Sequence, residues 1–205
     1  GISKNIKFLR SPILYSEILI LKIMLKLSKN FPKLYIKKKN RIIRKEPSDI
    51  FQHIDTLYYY ALQSNSIFET GVRGVVSSWA FLYGLYRKNN PNSYYLMNDI
   101  VECESEEILL IAKKLNIENK FIIKNNLELN FDQTFDLTFI DTWHIYGQLI
   151  RELNKFSVLT NKYMILHDTT IDAEKGESIR FNQDLEALSQ SSGFTIEEIS
   201  KGLWP

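Results

Sequence analysis

From residue 46 onward, short apolar runs alternate with stretches whose apolar residues recur at helical spacing. That alternation limits the fold more than any single residue does. The runs SIFET (66–70), SYYLMND (93–99), KFIIKN (120–125), FDLTFID (135–141) and KYMILHD (162–168) read as strands. Helical spacing is seen in EPSDIFQHIDTLYYYALQ (46–63), where Pro47 and Ser48 look like a capped start, and from about Ser77 to Arg87. It returns at 104–116, 146–159 and 181–191, and a last edge-like strand is expected at 193–200. Strands joined by helices of this length need right-handed crossovers, which predicts an α/β fold with a mostly parallel, doubly wound sheet. No internal repeat interrupts the pattern.

With 205 residues the chain can build one core of this kind, and two are not expected. A single cysteine, Cys103, excludes a disulfide framework and a multi-cysteine metal site, so a reducing, cytoplasmic setting is expected, with an inert thiol. The net charge of +2 hides an asymmetry: residues 1–45 carry 13 Lys or Arg against Glu17 alone, and the remainder is net acidic. Residues 1–47 therefore read as a basic helical extension or interdomain linker ahead of a domain at 48–205. The apolar run ILYSEILILKIMLKL (13–27) is interrupted by Glu17, Lys22 and Lys26, so stable membrane insertion is not expected and neither is a signal peptide. An amphipathic helix most often buries its apolar face on protein. Docking on the body or on a partner subunit is thus expected ahead of a membrane surface or nucleic acid.

Parallel sheets of this type bind ligands at the carboxyl ends of their strands, where the strand order reverses. Those ends read Glu69-Thr70-Gly71, Asn98-Asp99, Asn125-Asn126, Asp141-Thr142-Trp143-His144 and His167-Asp168-Thr169. Gly71 and Gly74 suit a tight turn that exposes amides at the next helix start, an attractive place for a carboxylate. A dinucleotide fingerprint needs three glycines, and Glu69 would repel a pyrophosphate. An acid there suits an ammonium group instead, and Asp99 stands where a carboxylate accepts ribose hydroxyls. Ammonium, carboxylate and ribose together describe S-adenosylmethionine. On this reading Glu69, Gly71, Arg73, Gly74 and Asp99 cradle the cofactor, Ser77 and Ser78 donate to its carboxylate, Asn126 lies beside the adenine, and Asp141 also contacts the cofactor.

Over residues 48–200 the chain resembles the class I S-adenosylmethionine-dependent methyltransferases, whose fold is Rossmann-like. FIDTWHIYGQLIREL followed by YMILHDTT resembles the branch of sugar O-methyltransferases and the cephalosporin hydroxylase family, and most closely the methyltransferase domain of chlorovirus glycan-building enzymes. The resemblance implies methyl transfer to a hydroxyl of a deoxyhexose such as rhamnose on a surface glycan, in the host cytoplasm. It also implies a preceding glycosyltransferase domain joined through the basic stretch, and a homodimer is a further expected partner. Two departures are visible. The family loop usually has one more residue between its glycines, and relatives continue past GLWP, so a chain shortened before the final antiparallel strands is expected.

A neutral sugar hydroxyl is a poor nucleophile near neutral pH and needs a base or a metal. The family positions that hold magnesium correspond to Asp141, His167 and Asp168. Magnesium prefers oxygen ligands, whereas an imidazole favours manganese, iron or zinc, so the set implies either a borderline divalent metal or none. Without a metal, His144 or His167, held by Asp141 or Asp168, is the expected proton acceptor. Trp143 and Tyr146 are expected to stack on the sugar. Each residue also has a plainer reading, as a capping acid, a turn glycine or a core histidine, and His53, Trp79 and the Tyr58–Tyr60 run are expected to be structural. Two further functions stay open: a phenol or small-metabolite O-methyltransferase with residues 1–47 as an apolar lid, and a silent cofactor-binding module.

Overall fold

The computed structural model describes residues 12–143, 146–168 and 195. Five parallel strands, β1 (Ser66–Thr70), β2 (Tyr94–Asp99), β3 (Glu118–Ile123), β4 (Phe135–Ile140) and β5 (Thr160–Leu166), form one sheet in the order β3-β2-β1-β4-β5. The helices are α1 (Pro12–Leu27), α2 (Phe31–Ile43), α3 (Ile54–Leu62), α4 (Val76–Lys88), α5 (Glu106–Lys114) and α6 (Tyr146–Phe156). The result is a Rossmann-like doubly wound sheet, as the alternation predicts, with its order reversing between β1 and β4. The helix and strand expected at 181–191 and 193–200 lie outside the described residues.

Side-chain alternation along the strands builds two separate cores. Ile67, Tyr95, Met97, Leu137 and Phe139 point to the face covered by α3, α4 and α5. Phe68, Leu96 and Ile140 point to the other face, against Phe135 and Phe156 at the end of α6. Fully burying side chains of this size contributes roughly 1.5–3 kcal/mol each. Gly84 lets α4 lie close on α3, since a Cβ there would come within 2.4 Å of the Ala61 Cβ. The tyrosine run is structural, as expected: Tyr58 stacks on Tyr83 and Tyr60 packs on Tyr163. Trp79 is buried in the same core.

Two boundaries differ from the sequence reading. Ser48 does not cap the helix; the chain first turns so that Ile50 enters the core, and regular helix begins at Ile54 after one 3₁₀ turn. Strand β3 starts at Glu118 instead of Lys120, because its ladder runs the full length of β2, from Tyr94 to Asp99. As an edge strand among the described residues it tolerates polar side chains that the apolar pattern had excluded.

The basic N-terminal helices join the α4 side of the sheet. Leu21 and Leu25 of α1, and Ile36 and Ile43 of α2, belong to the same core as Trp79 and Ile54. Tyr35 donates to Glu107 Oε1 of α5 at 2.5 Å, Lys39 pairs with the same oxygen at 3.1 Å, and Lys39 lies over the Trp79 ring.

Candidate active site

The register sets the strand ends level: Thr70 pairs with Asn98 of β2 on one side and Ile140 of β4 on the other. The chain leaves β1 through Gly71, with φ +85°, and crosses directly over the backbone that leaves β4. A Cβ on Gly71 would sit 1.8 Å from the Asp141 carbonyl oxygen. Only glycine fits there. The expected contact loop and the expected catalytic acid are therefore built against each other at the point where the strand order reverses.

The remainder of the loop departs from the sequence reading. Asp99 is buried, and its Oδ2 accepts the backbone N–H of Val72 at 2.8 Å and of Arg73 at 2.9 Å, while Oδ1 accepts Val101 N–H at 3.1 Å. Here the carboxylate expected to take ribose hydroxyls is engaged in holding the loop. Arg73 turns its exposed side chain onto Asp49, ahead of α3. Gly74 has no positive φ, and a Cβ there would meet only Val76 Cγ2 at 3.8 Å, so neither space nor backbone demands its glycine. Positive φ falls on either side of it, on Arg73 with φ +35° and on Val75 with φ +61°. Immediately beyond, α4 begins with no side-chain cap and no acid in its first turn. Its leading N–H groups suit a carboxylate.

Glu69 is fully buried and faces α4, where it accepts hydrogen bonds from Ser77 Oγ, Ser78 Oγ at 2.6 Å and Tyr95 OH. Glu69, Ser77 and Ser78, expected to contact the cofactor, instead contact one another. The reason is alternation: Glu69 shares its face with Ile67, and that face is covered by α4. Burial pushes the Glu69 carboxyl up to about 7, against the opposing pull of the three hydroxyls. Burial likewise pushes the Cys103 thiol up to about 12, consistent with an inert cysteine.

On the opposite face, Thr70 and Asn98 begin a buried polar chain. Thr70 Oγ1 donates to Asn98 Oδ1 at 2.9 Å and accepts from Asn126 Nδ2 at 3.0 Å. Asn126 Nδ2 also donates to Glu152 Oε1 of α6 at 2.5 Å, and that oxygen accepts Thr142 Oγ1 at 2.7 Å and Gln148 Nε2 at 2.8 Å. Asn98 Nδ2 ties in the exit of β3 through the carbonyls of Ile122 and Lys124. Asn126, expected beside the adenine, is thus a buried tie between strand ends.

Above this floor stand Asp141, His167 and Asp168. His167 Nδ1 lies 3.2 Å from Asp141 Oδ1 and 3.3 Å from Asp168 Oδ2. Its pKa is raised, chiefly by the hydrogen bond to Asp141 against the opposing effect of burial, with the charges of Asp141, Asp168 and Asp49 adding to the rise. One potential ligand atom from each of the three residues falls within 4.8 Å of the others, a set able to hold a divalent cation. Asp168 takes a left-handed φ of +53°. Trp143 is half-buried beside the cluster in sequence. His144 and the side chain of Tyr146 lie outside the described residues.

No protein-family model matches the chain, and no curated protein matches it. Solved structures similar to it include a protein of Klebsiella pneumoniae assigned as an O-methyltransferase, with 14% identity, 75% of this chain and 76% of that one covered, and a TM-score of 0.48. The O-methyltransferase TomG of Streptomyces achromogenes, involved in tomaymycin synthesis and in complex with SAM, has 15% identity, coverages of 74% and 77%, and a TM-score of 0.46. An O-methyltransferase of Bacillus cereus in complex with SAH has 15% identity, coverages of 74% and 78%, and a TM-score of 0.45.

Two groups were missed from the sequence. His53, expected to be structural, sets its ring edge-on to His167 with centroids 5.6 Å apart, so the start of α3 brings a second imidazole to the cluster. Nothing local to residues 49–53 announces that partner. Glu152 did leave a signal: it is an acid on the buried face of α6, four residues before Phe156.

Proposed function

We propose that this chain is an S-adenosylmethionine-dependent O-methyltransferase acting on a hydroxyl of a sugar, such as a deoxyhexose. The observation that carries the reading is the crossing of the Gly71 loop over Asp141. On this reading the helix terminus that follows the loop receives the donor's carboxylate, and the acid–imidazole–acid cluster that begins at Asp141 receives the acceptor hydroxyl. The donor's sulfonium carries the methyl group, so the transfer is an in-line displacement by the acceptor oxygen, which must lose its proton. Asp141 and Asp168 hold His167 through Nδ1, and the hydrogen bond to Asp141 raises its pKa, which makes the imidazole a stronger proton acceptor in its neutral form. Asp141, His167 and Asp168 also fit a divalent metal of the manganese, iron or zinc type. Such an ion would lower the acceptor's pKa, with those three residues as ligands. Trp143 offers an aromatic face for the sugar ring. A preceding glycosyltransferase domain and a glycan acceptor are consistent with this chemistry.

Titration calorimetry with S-adenosylhomocysteine tests the cofactor half. Methyl transfer to a panel of rhamnosides, with and without EDTA, tests the acceptor half and separates a metal from a histidine base. Heat on binding, then turnover that Asp168→Ala reduces at least about a hundredfold, is expected. Absence of binding at millimolar ligand, or full turnover by Asp168→Ala, refutes the proposal.

A further inference from the structure

Helix α1 is apolar on two faces, and among the described residues one of them is buried and the other exposed. Ile18, Leu21 and Leu25 are buried against the body. Leu19, Ile20, Ile23, Met24 and Leu27 form a second stripe, recurring every three to four residues, that stays exposed. Ile20 is 59% and Leu27 77% exposed, and Leu34 of α2 is exposed too. Sixteen residues of helix span about 24 Å, short of the roughly 30 Å hydrocarbon core of a bilayer. Among the described residues no helix is long and apolar enough to cross a membrane.

The outward side of α2 is of the opposite character. Its apolar residues Ile36 and Ile43 are buried with Pro32, while Lys33, Lys37, Lys38 and Arg41 are exposed. Lys22 and Lys26 flank the apolar stripe on α1 and Lys29 lies in the turn between the helices. An apolar ridge bordered by cations, with Glu17 the only acid in residues 1–45, has the chemistry of an interfacial helix that lies in the headgroup layer. We infer that α1 and α2 form a docking surface for an anionic lipid bilayer, with the α1 stripe entering the interface and the α2 cations facing lipid headgroups. Charge decides among the occupants. A second copy meeting this face across a two-fold axis would oppose one row of lysines with another. A nucleic acid would leave the apolar stripe in water.

The test is flotation of the intact chain with vesicles of phosphatidylcholine alone or of phosphatidylcholine with a third of phosphatidylserine. Binding to the anionic vesicles only, weakened by about tenfold or more between low and high salt, is expected. Ile20→Ser combined with Ile23→Ser and Leu27→Ser should reduce binding by about tenfold or more. Circular dichroism and thermal melting check that these exposed positions leave the fold intact, and Leu27→Asp alone gives a milder version of the same test. Reversing Lys33, Lys37 and Lys38 to Glu should abolish the preference for anionic lipid. The inference fails if the chain does not float with anionic vesicles at low salt, or if the folded serine variant binds as its parent does. It also fails if sedimentation shows a dimer that the serine substitutions dissolve, which would make a second copy the occupant. None of these outcomes depends on methyl transfer.

Discussion

Glu69→Gln should change how stability depends on pH. In the folded protein the Glu69 carboxyl is raised from 4.5 to about 7 by burial, so it keeps a proton that the unfolded chain loses. Below pH 4.5 both states are protonated and this group does not penalise the fold. Between 4.5 and about 7 the folded state binds more protons than the unfolded one, so stability falls as pH rises, then levels off above the folded value. At 1.36 kcal/mol per unit the total fall is about 3 kcal/mol. Glutamine keeps the size and accepts from one or two of the three hydroxyls, but cannot ionise. The stability of Glu69→Gln minus that of the parent should therefore rise by about 3 kcal/mol between pH 4.5 and pH 8, whatever its sign at either end. Urea unfolding followed by tryptophan fluorescence at a series of pH values measures this. A difference that stays flat within about 1 kcal/mol would show that Glu69 is not a desolvated carboxyl, and the enclosure by Ser77, Ser78 and Tyr95 would be wrong.

Gly71→Ala should destabilise the fold by more than about 3 kcal/mol, because the Asp141 carbonyl must retreat by over an ångström to admit the methyl group and the alanine is left at positive φ. Urea unfolding reads the loss, and a cost below about 1 kcal/mol would contradict the crossing. At position 75, alanine should be less stable than glycine by about 1 kcal/mol, the reverse of the usual helical order, since only glycine relieves the left-handed turn. Equal or greater stability of the alanine variant in thermal melts would remove the strain from Val75. Asp141→Asn should lower the pKa of His167 toward 6.5, as followed by its ring proton shifts in NMR, because the hydrogen bond to Asp141 is the largest cause of the rise. An unmoved titration would break the proposed pair.

The strand ends were legible because each β-strand's apolar run stops where its polar residue begins, and a parallel sheet gathers those stops on one edge. Asp141, His167 and Asp168 are brought together for that reason. The face each side chain occupies was not legible, since alternation gives relative and not absolute direction. Glu69 was expected in the ligand cleft and lies under α4; Asn126 was expected at the adenine and lies in the floor. Gly74 was expected to make the turn that Val75 makes, because residue type alone pointed to the glycine. His53 could not be paired with His167 from sequence, as the two meet only through the packing of α3 against the β5 end. The apolar spacing of 13–27 was read as one face to bury, whereas α1 carries two.

The polar floor has a bearing on how such a protein diversifies. Thr70, Asn98, Asn126 and Glu152 each bond to another member of the set, so replacing one strands the others in the interior. Substitution near the Asp141–His167–Asp168 cluster is thereby steered away from the sheet and toward Asp49, His53 and Trp143, which sit outside its ladders. Randomising those three varies the surroundings of the cluster while the foundation stays untouched.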